Sequence, residues 1–218
     1  MALEYAMGGC LFDLVHKNKM TEAHAKYFGL QMVKGIQHMH NKEVCHRDLK
    51  PDNLLLSSKG PDAKLKIADF GEAAPLDGWK EEGFLSTYVG TRQYMAPEII
   101  EASIKPVFYE GAKADTYSAG IILMQLVMGF HPFNNGPAIE DSNKLYKGYL
   151  TDKSKYWSAI EKSLNGSLSD EFKDLVSGMT NSDPDNRITM DEVVDHPWFQ
   201  DVDNTINPET IIEQLENE

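Results

Sequence analysis

The chain has 218 residues, enough for one large domain or two small ones with a sizeable core, and its 41% hydrophobic and 25% charged content contains no biased tract. Lys plus Arg number 21 against 34 Asp plus Glu, a net charge of −13, which argues against non-specific binding to nucleic acid or anionic membrane and favours basic partners. The two cysteines, Cys10 and Cys45, make no CxxC pair, so neither a metal site nor a disulfide framework is expected and a reducing compartment fits.

No span long enough for a membrane is found. The longest apolar run, Ala119 to Phe130, is broken by Gln125 and falls short of the ~20 residues a spanning helix needs. Neither a basic segment nor a signal-like apolar run follows Met1. An intracellular protein, cytoplasmic by default and without membrane insertion, is the expectation.

In chain order, residues 1–9 end in Gly8-Gly9 and suit a strand end followed by a turn, and Leu11 to Lys17 suit a short helix. Thr21 is an N-cap for a helix reaching about Asn41, with an apolar stripe at Ala25, Phe28, Met32, Ile36 and Met39. Leu54–Leu56 and Lys64–Ala68 read as two strands joined by a turn-rich segment, so the polar clusters before the first and after the second meet at one end of a hairpin. An irregular stretch from Gly71 to Arg92 has the length of a functional or regulatory loop. Ala114 to Phe130 is apolar nearly all round, the mark of a buried central helix. Further helices are expected at about 139–148, 169–180 and 189–195. The tail from Asp201 to Glu218 carries six acids and no Lys or Arg, and is expected to hold a short solvated helix after Pro208 or to fray.

The chemistry concentrates at the end of the hairpin. His46-Arg47-Asp48-Leu49-Lys50-Pro51-Asp52-Asn53 brings two carboxylates, an amide and two cations into eight residues, and Asp69-Phe70-Gly71 brings a further carboxylate to the same end. These are the group types that phosphoryl transfer to a hydroxyl needs: a carboxylate to orient the hydroxyl, oxygen ligands for Mg²⁺, and cations to offset phosphate charge. The two segments resemble the catalytic loop and DFG motif of eukaryotic Ser/Thr protein kinases, in that family's order. Met95-Ala96-Pro97-Glu98 resembles the family's APE motif, Asp115-Thr116-Tyr117-Ser118-Ala119-Gly120 its DxWSxG helix start with Tyr for Trp, and His196-Pro197-Trp198-Phe199 the end of the domain in calmodulin-dependent-kinase-like groups.

The resemblance covers about residues 2–200. It implies a mainly α fold, the C-terminal lobe of a protein kinase: a helical bundle around a buried central helix, with a small β-hairpin carrying the catalytic loop. Residues 1–200 would be the kinase domain and 201–218 an acidic tail. ATP and Mg²⁺ would be the cofactors and a protein, basic around its phosphosite, the substrate. Asp48 would orient the substrate hydroxyl, Lys50 would contact the γ-phosphate, and Asn53 and Asp69 would hold Mg²⁺. Leu3-Glu4-Tyr5-Ala6-Met7-Gly8-Gly9 resembles the hinge, with Leu3 as gatekeeper and the backbones of Glu4 and Ala6 bonding adenine. Leu55 would floor the adenine pocket above Leu11, Leu54 and Leu56, although ordinary core packing explains any one of these leucines as well. Cys10 stands where many relatives carry an acid. His46, Phe70, Glu98, Asp115 and Arg187 would be structural, Asp115 anchoring the catalytic loop and Arg187 pairing with Glu98.

Thr87 and Thr91 of the activation segment, Asp69 to Glu98, would be regulatory together with Arg47 of the catalytic loop. Thr91 would reach Asp48 and Lys50, and Arg47 would pair with phosphorylated Thr87, modified by an upstream kinase or by autophosphorylation. The alternative is an ordinary loop hydroxyl at Thr87, with Arg47 satisfied by water or a carboxylate. No G-x-G-x-x-G and no V-A-I-K occurs in these residues, so they read as hinge and C-terminal lobe without most of the upper lobe, and alone should bind MgATP weakly and turn over little. A lobe-only pseudokinase acting as an interaction module is the alternative; a small-molecule kinase of related fold is a third reading, disfavoured by the Gly90–Glu98 segment and the Asp115 helix start.

Overall fold

The computed structural model describes residues 4–15, 20–76, 85–105, 107–133, 143–200, 202 and 206–217. Strand β1 (Gly9–Cys10) leads directly into helix α1 (Leu11–Val15), the described part of the helix expected to reach Lys17. Helix α2 (Glu22–Asn41) starts where Thr21 caps it, the hydroxyl oxygen accepting the His24 N–H at 3.2 Å and satisfying one of the otherwise orphaned amides of the first turn. Ala25, Phe28, Met32, Ile36 and Met39 are all buried, so the 3.6-residue stripe is the face that docks.

Strand β2 (Val44–Cys45) comes next, then β3 (Leu54–Leu56), β4 (Leu65–Ile67) and β5 (Ala74–Pro75). The sheet is larger than the expected hairpin: β1 joins it antiparallel on the far side of β3, giving the order β1-β3-β4, while β2 pairs with β5. Leu54 and Leu56 are fully buried, and Leu55, pointing to the opposite face, is partly exposed.

Helix α3 (Pro97–Ala102) begins inside the Ala96-Pro97-Glu98 motif, with proline at a first-turn position where its missing N–H costs nothing. Helix α4 (Gly111–Met128) runs through the middle of the molecule with side chains buried on every side, and packs on α2. Helices α5 (Lys144–Thr151) and α6 (Lys153–Leu164) share Asp152, which ends one and caps the other by accepting the Lys155 N–H at 3.0 Å. The sequence predicts a single helix here, at about 139–148; positions 139–142 lie outside the described residues, and α6 is an addition to that expectation. Helices α7 (Asp170–Met179) and α8 (Met190–Val194) pack on α4 and α2 respectively.

Helix α9 (Pro208–Asn217) corrects the reading of the tail. It forms after Pro208, but it is not solvated: Ile211, Ile212 and Leu215 are buried, the helix packs on α1, and Glu216 bonds Lys59 of the β3–β4 turn. Three buried aliphatic side chains contribute about 1.5–3 kcal/mol each, more than an acidic face costs in water. The described residues form a mainly helical lobe around α4, with small sheets.

Candidate active site

Asp115, in the second turn of α4 and fully buried, accepts two backbone N–H bonds from the loop after β2: His46 to Oδ2 and Arg47 to Oδ1, both at 2.8 Å. His40 of α2 adds a third contact to Oδ2 at 3.0 Å. These bonds hold Arg47 at φ +67°, a left-handed conformation that costs a side-chain-bearing residue of order 1–3 kcal/mol. The buried His46 ring then ties this loop to the residues after β4. Its Nδ1 accepts the Asp48 N–H at 3.3 Å, so Nε2 carries the proton and donates to the Ala68 carbonyl at 2.9 Å, next to Asp69. Phe70 stacks at a tilt on His46, ring centroids 5.1 Å apart, and is itself half exposed.

Asp48 lies inside this frame with its two oxygens differently placed. Oδ2 takes the Lys50 ammonium at 2.8 Å; Oδ1 is buried and, among the described residues, has no hydrogen-bond partner. Lys50 also donates to Thr91 Oγ1 at 2.9 Å, joining the loop after β2 to the middle of the 85–98 segment. Gly90 makes that approach feasible. It sits at φ +109°, and a Cβ there would stand 2.4 Å from the Arg47 carbonyl and 3.6 Å from Asp48 Oδ1.

Asn53 closes the 3₁₀ turn Pro51–Asn53 and gives Nδ2 to the Asp48 carbonyl at 2.9 Å. A carbonyl only accepts, so the Asn53 amide must turn its NH₂ inward, leaving Oδ1 as an acceptor. Asp69, exposed and left-handed at φ +60°, uses Oδ1 for the Gly71 N–H at 3.3 Å and leaves the rest of its carboxylate open. One amide and one carboxylate oxygen form the hard, sparse donor set that Mg²⁺ accepts when phosphates and water complete its shell.

The hinge side is only partly described. Leu3 lies outside the described residues. Glu4 is exposed and its carboxylate pairs with Lys66 at 3.0 Å, while the Ala6 carbonyl closes a turn with the Gly9 N–H at 3.4 Å. Leu55 and Lys66 stand opposite each other in register. Cys10 donates to Asp13 Oδ2 at 3.2 Å; burial, and to a lesser extent the carboxylate beside it, raise its pKa. Arg47 donates from Nη1 to Thr87 Oγ1 at 3.0 Å and from Nε to the Glu72 carbonyl. Glu98 and Arg187 form a buried bidentate pair at 2.6 and 2.9 Å.

Sequence reasoning missed the side chains that hold the stretch after Thr91. Ser118 donates to the Tyr94 carbonyl and Tyr94 donates to Gln125 Oε1, each at 2.8 Å; His131 bonds the Gln93 carbonyl through Nε2 at 3.1 Å while its Nδ1 accepts the Phe133 N–H. Burial holds the His131 imidazole neutral, with its pKa lowered to about 4. The unfolded value is about 6.5, so the contribution is fully present above that pH and is lost as pH falls toward 4, because only the unfolded state takes up the proton in between. His131→Gln should therefore bind about one proton fewer on unfolding across pH 6.5 to 4. Equal pH slopes in chemical denaturation of the two proteins would refute this.

Comparison with known proteins agrees with the architecture. Residues 1–199 match the protein kinase domain family, and the chain belongs to that family. CBL-interacting serine/threonine-protein kinase 20 of Arabidopsis thaliana is 38% identical over 199 residues, covering 91% of this chain and 41% of the relative. CBL-interacting protein kinase 5 of Oryza sativa subsp. japonica is 36% identical over 199 residues, covering 91% and 39%. A probable serine/threonine-protein kinase of Dictyostelium discoideum is 34% identical over 219 residues, covering 100% and 24%. The chain thus spans about two fifths or less of the length of these curated relatives.

Proposed function

We propose that this chain supplies the hinge and C-terminal lobe of a Ser/Thr protein kinase of the calmodulin-dependent-kinase-like group, which transfers the γ-phosphate of ATP to Ser or Thr hydroxyls of a protein. The observation that carries the reading is Asp48 Oδ1, a buried carboxylate oxygen without a hydrogen-bond partner among the described residues, on the side chain that takes the Lys50 ammonium. Burying an unpaired acceptor is unfavourable, and such a group is retained where a substrate donor completes it. Asp48 would orient the hydroxyl and receive its proton, and Lys50, steadied by Thr91, would meet the γ-phosphate. Asn53 and Asp69 would hold Mg²⁺, which when bound offsets charge on the phosphates. Glu4, Ala6 and Leu55 would bound the adenine. The free thiols of Cys10 and Cys45 suit an intracellular setting.

The test is phosphate transfer from MgATP to a generic basic protein, by a protein in which an upper lobe completes the nucleotide cleft. Phosphoserine and phosphothreonine without phosphotyrosine are expected. No transfer by that protein would leave the interaction-module reading in its place.

Thr87 is the residue we assign as the regulatory phosphosite. Its hydroxyl already accepts from Arg47, and a phosphate there would add about 1.5–2 negative charges and three acceptors to the same guanidinium. Thr87→Ala and Arg47→Ala should each lower activity substantially, and the double variant should be little worse than either, since both remove one interaction. Additive losses, or a fully active protein found unmodified at Thr87 by mass spectrometry, would refute the pairing.

A further inference from the structure

We propose that Tyr109 is a positioning residue for the loop that borders the active site, holding it by the Thr87 backbone and independently of the Thr87 hydroxyl. The proposal rests on the kinase reading above for its kinetic consequence, though not for the contact itself. Tyr109 precedes α4 by two residues and is 3% exposed. Its hydroxyl donates to the Thr87 carbonyl at 2.7 Å. Burial raises the phenol pKa more than the nearby Arg47 guanidinium lowers it, so the group keeps the proton it donates. The Tyr109 backbone exchanges both hydrogen bonds with Leu85, at 2.9 and 2.8 Å. One residue therefore makes three hydrogen bonds to residues 85–87.

The start of α4 is built for this closeness. A Cβ on Gly111 would stand 2.4 Å from Cys45 Sγ and 3.0 Å from Leu85 Cδ1, so only a residue without a side chain lets the helix begin against both β2 and the loop. Cys45 is followed by His46 and Arg47, whose amides Asp115 of the same helix holds. Thr87 is thus gripped at two atoms, its hydroxyl by Arg47 and its carbonyl by Tyr109, and both grips are referenced to the first turns of α4. Three residues later the chain must deliver Gly90 onto the Arg47 carbonyl, and then Thr91 onto Lys50. Where the Thr87 carbonyl sits decides whether it can. Phosphorylation or loss of the Thr87 hydroxyl changes the Arg47 grip and leaves the Tyr109 grip in place.

Tyr109→Phe removes the donor and keeps the packed ring. In hydrogen-exchange measurements on the 218-residue chain, the amides of Leu85 and Tyr109 should exchange about 3- to 10-fold faster, the factor expected for one net hydrogen bond, with the thermal midpoint nearly unchanged. In a protein in which an upper lobe completes the cleft, KM for the protein substrate should rise by about the same factor while KM for ATP stays put. The factor should recur in a Thr87→Ala background, because the carbonyl remains there. Unchanged exchange at Leu85 would overturn the proposal, as would a KM for ATP that moves equally, or an effect that vanishes with Thr87→Ala. Faster exchange in a protein that transfers no phosphate would uphold the clamp and refute the kinase reading.

Discussion

Asp69→Ala is expected to abolish metal-dependent phosphate transfer, and Asp48→Ala to lower turnover by about 10²- to 10⁴-fold with ATP affinity nearly unchanged. The two carboxylates sit in different surroundings. Asp69 is exposed and left-handed at the end of β4, and beyond one bond to the Gly71 N–H its oxygens are open to a cation. Removing it leaves Asn53 as the lone protein ligand in the proposed pair, so nucleotide and metal should be lost together. Asp48 is partly buried, with Oδ2 on Lys50 and Oδ1 buried without a hydrogen-bond partner among the described residues. Its loss would remove the proposed acceptor for the substrate hydroxyl, while Lys50 keeps Thr91. A second consequence separates the roles: a buried acceptor with no partner destabilises the fold, so Asp48→Ala should unfold no earlier than the parent. Isothermal titration with MgATP, steady-state kinetics and thermal unfolding on the three proteins read all of this. If Asp48→Ala weakened ATP binding as much as Asp69→Ala, the division of roles would be wrong.

The features legible in the sequence were the local ones. The α2 stripe comes from a 3.6-residue repeat, the Thr21 cap from one capping oxygen, and β3 and α4 from unbroken apolar runs of strand and helix length. The family motifs lie in contiguous runs, so their residues could be named before their geometry was known. Helix α6 was hidden because it opens on Lys153-Ser154-Lys155 and only Asp152 separates it from α5, leaving no Gly or Pro to mark the junction. In α9 the acids outweighed Ile211, Ile212 and Leu215, although their i, i+1, i+4 spacing was the apolar face in plain view. Tyr109, Gln125 and His131 could not be found from spacing at all. Each acts on a backbone or side-chain group 22 to 38 positions away, and no period links such residues.

Arg187→Ala should cost about 3–5 kcal/mol of stability, a fall of roughly 6–20 °C in unfolding midpoint for a domain of this size. The Arg187 side chain is fully buried, and each of its three nitrogens is committed: Nη1 and Nη2 to Glu98, Nη1 also to the Lys113 carbonyl at 2.7 Å, and Nε to the Asn181 carbonyl at 2.9 Å. The guanidinium also lies over the Tyr117 ring, 5.1 Å from its centroid. One side chain thus joins α3, the start of α4 and the turn before α8, and through α3 it fixes the end of the segment that carries Thr91. Removing it leaves the Glu98 carboxylate, 7% exposed, with no compensating charge, and that desolvated charge is the main part of the cost. Glu98→Ala should be comparably damaging for the converse reason. The pair Glu98→Leu with Arg187→Met should recover much of the loss, since two apolar groups of similar length strand no charge. Arg187→Lys should not, because an ammonium cannot reproduce the bidentate fork or serve the two carbonyls as well. Urea denaturation of the four variants measures this. A double variant as unstable as the sum of the singles would mean that the carbonyl contacts of Arg187, and not its pairing with Glu98, hold these elements together.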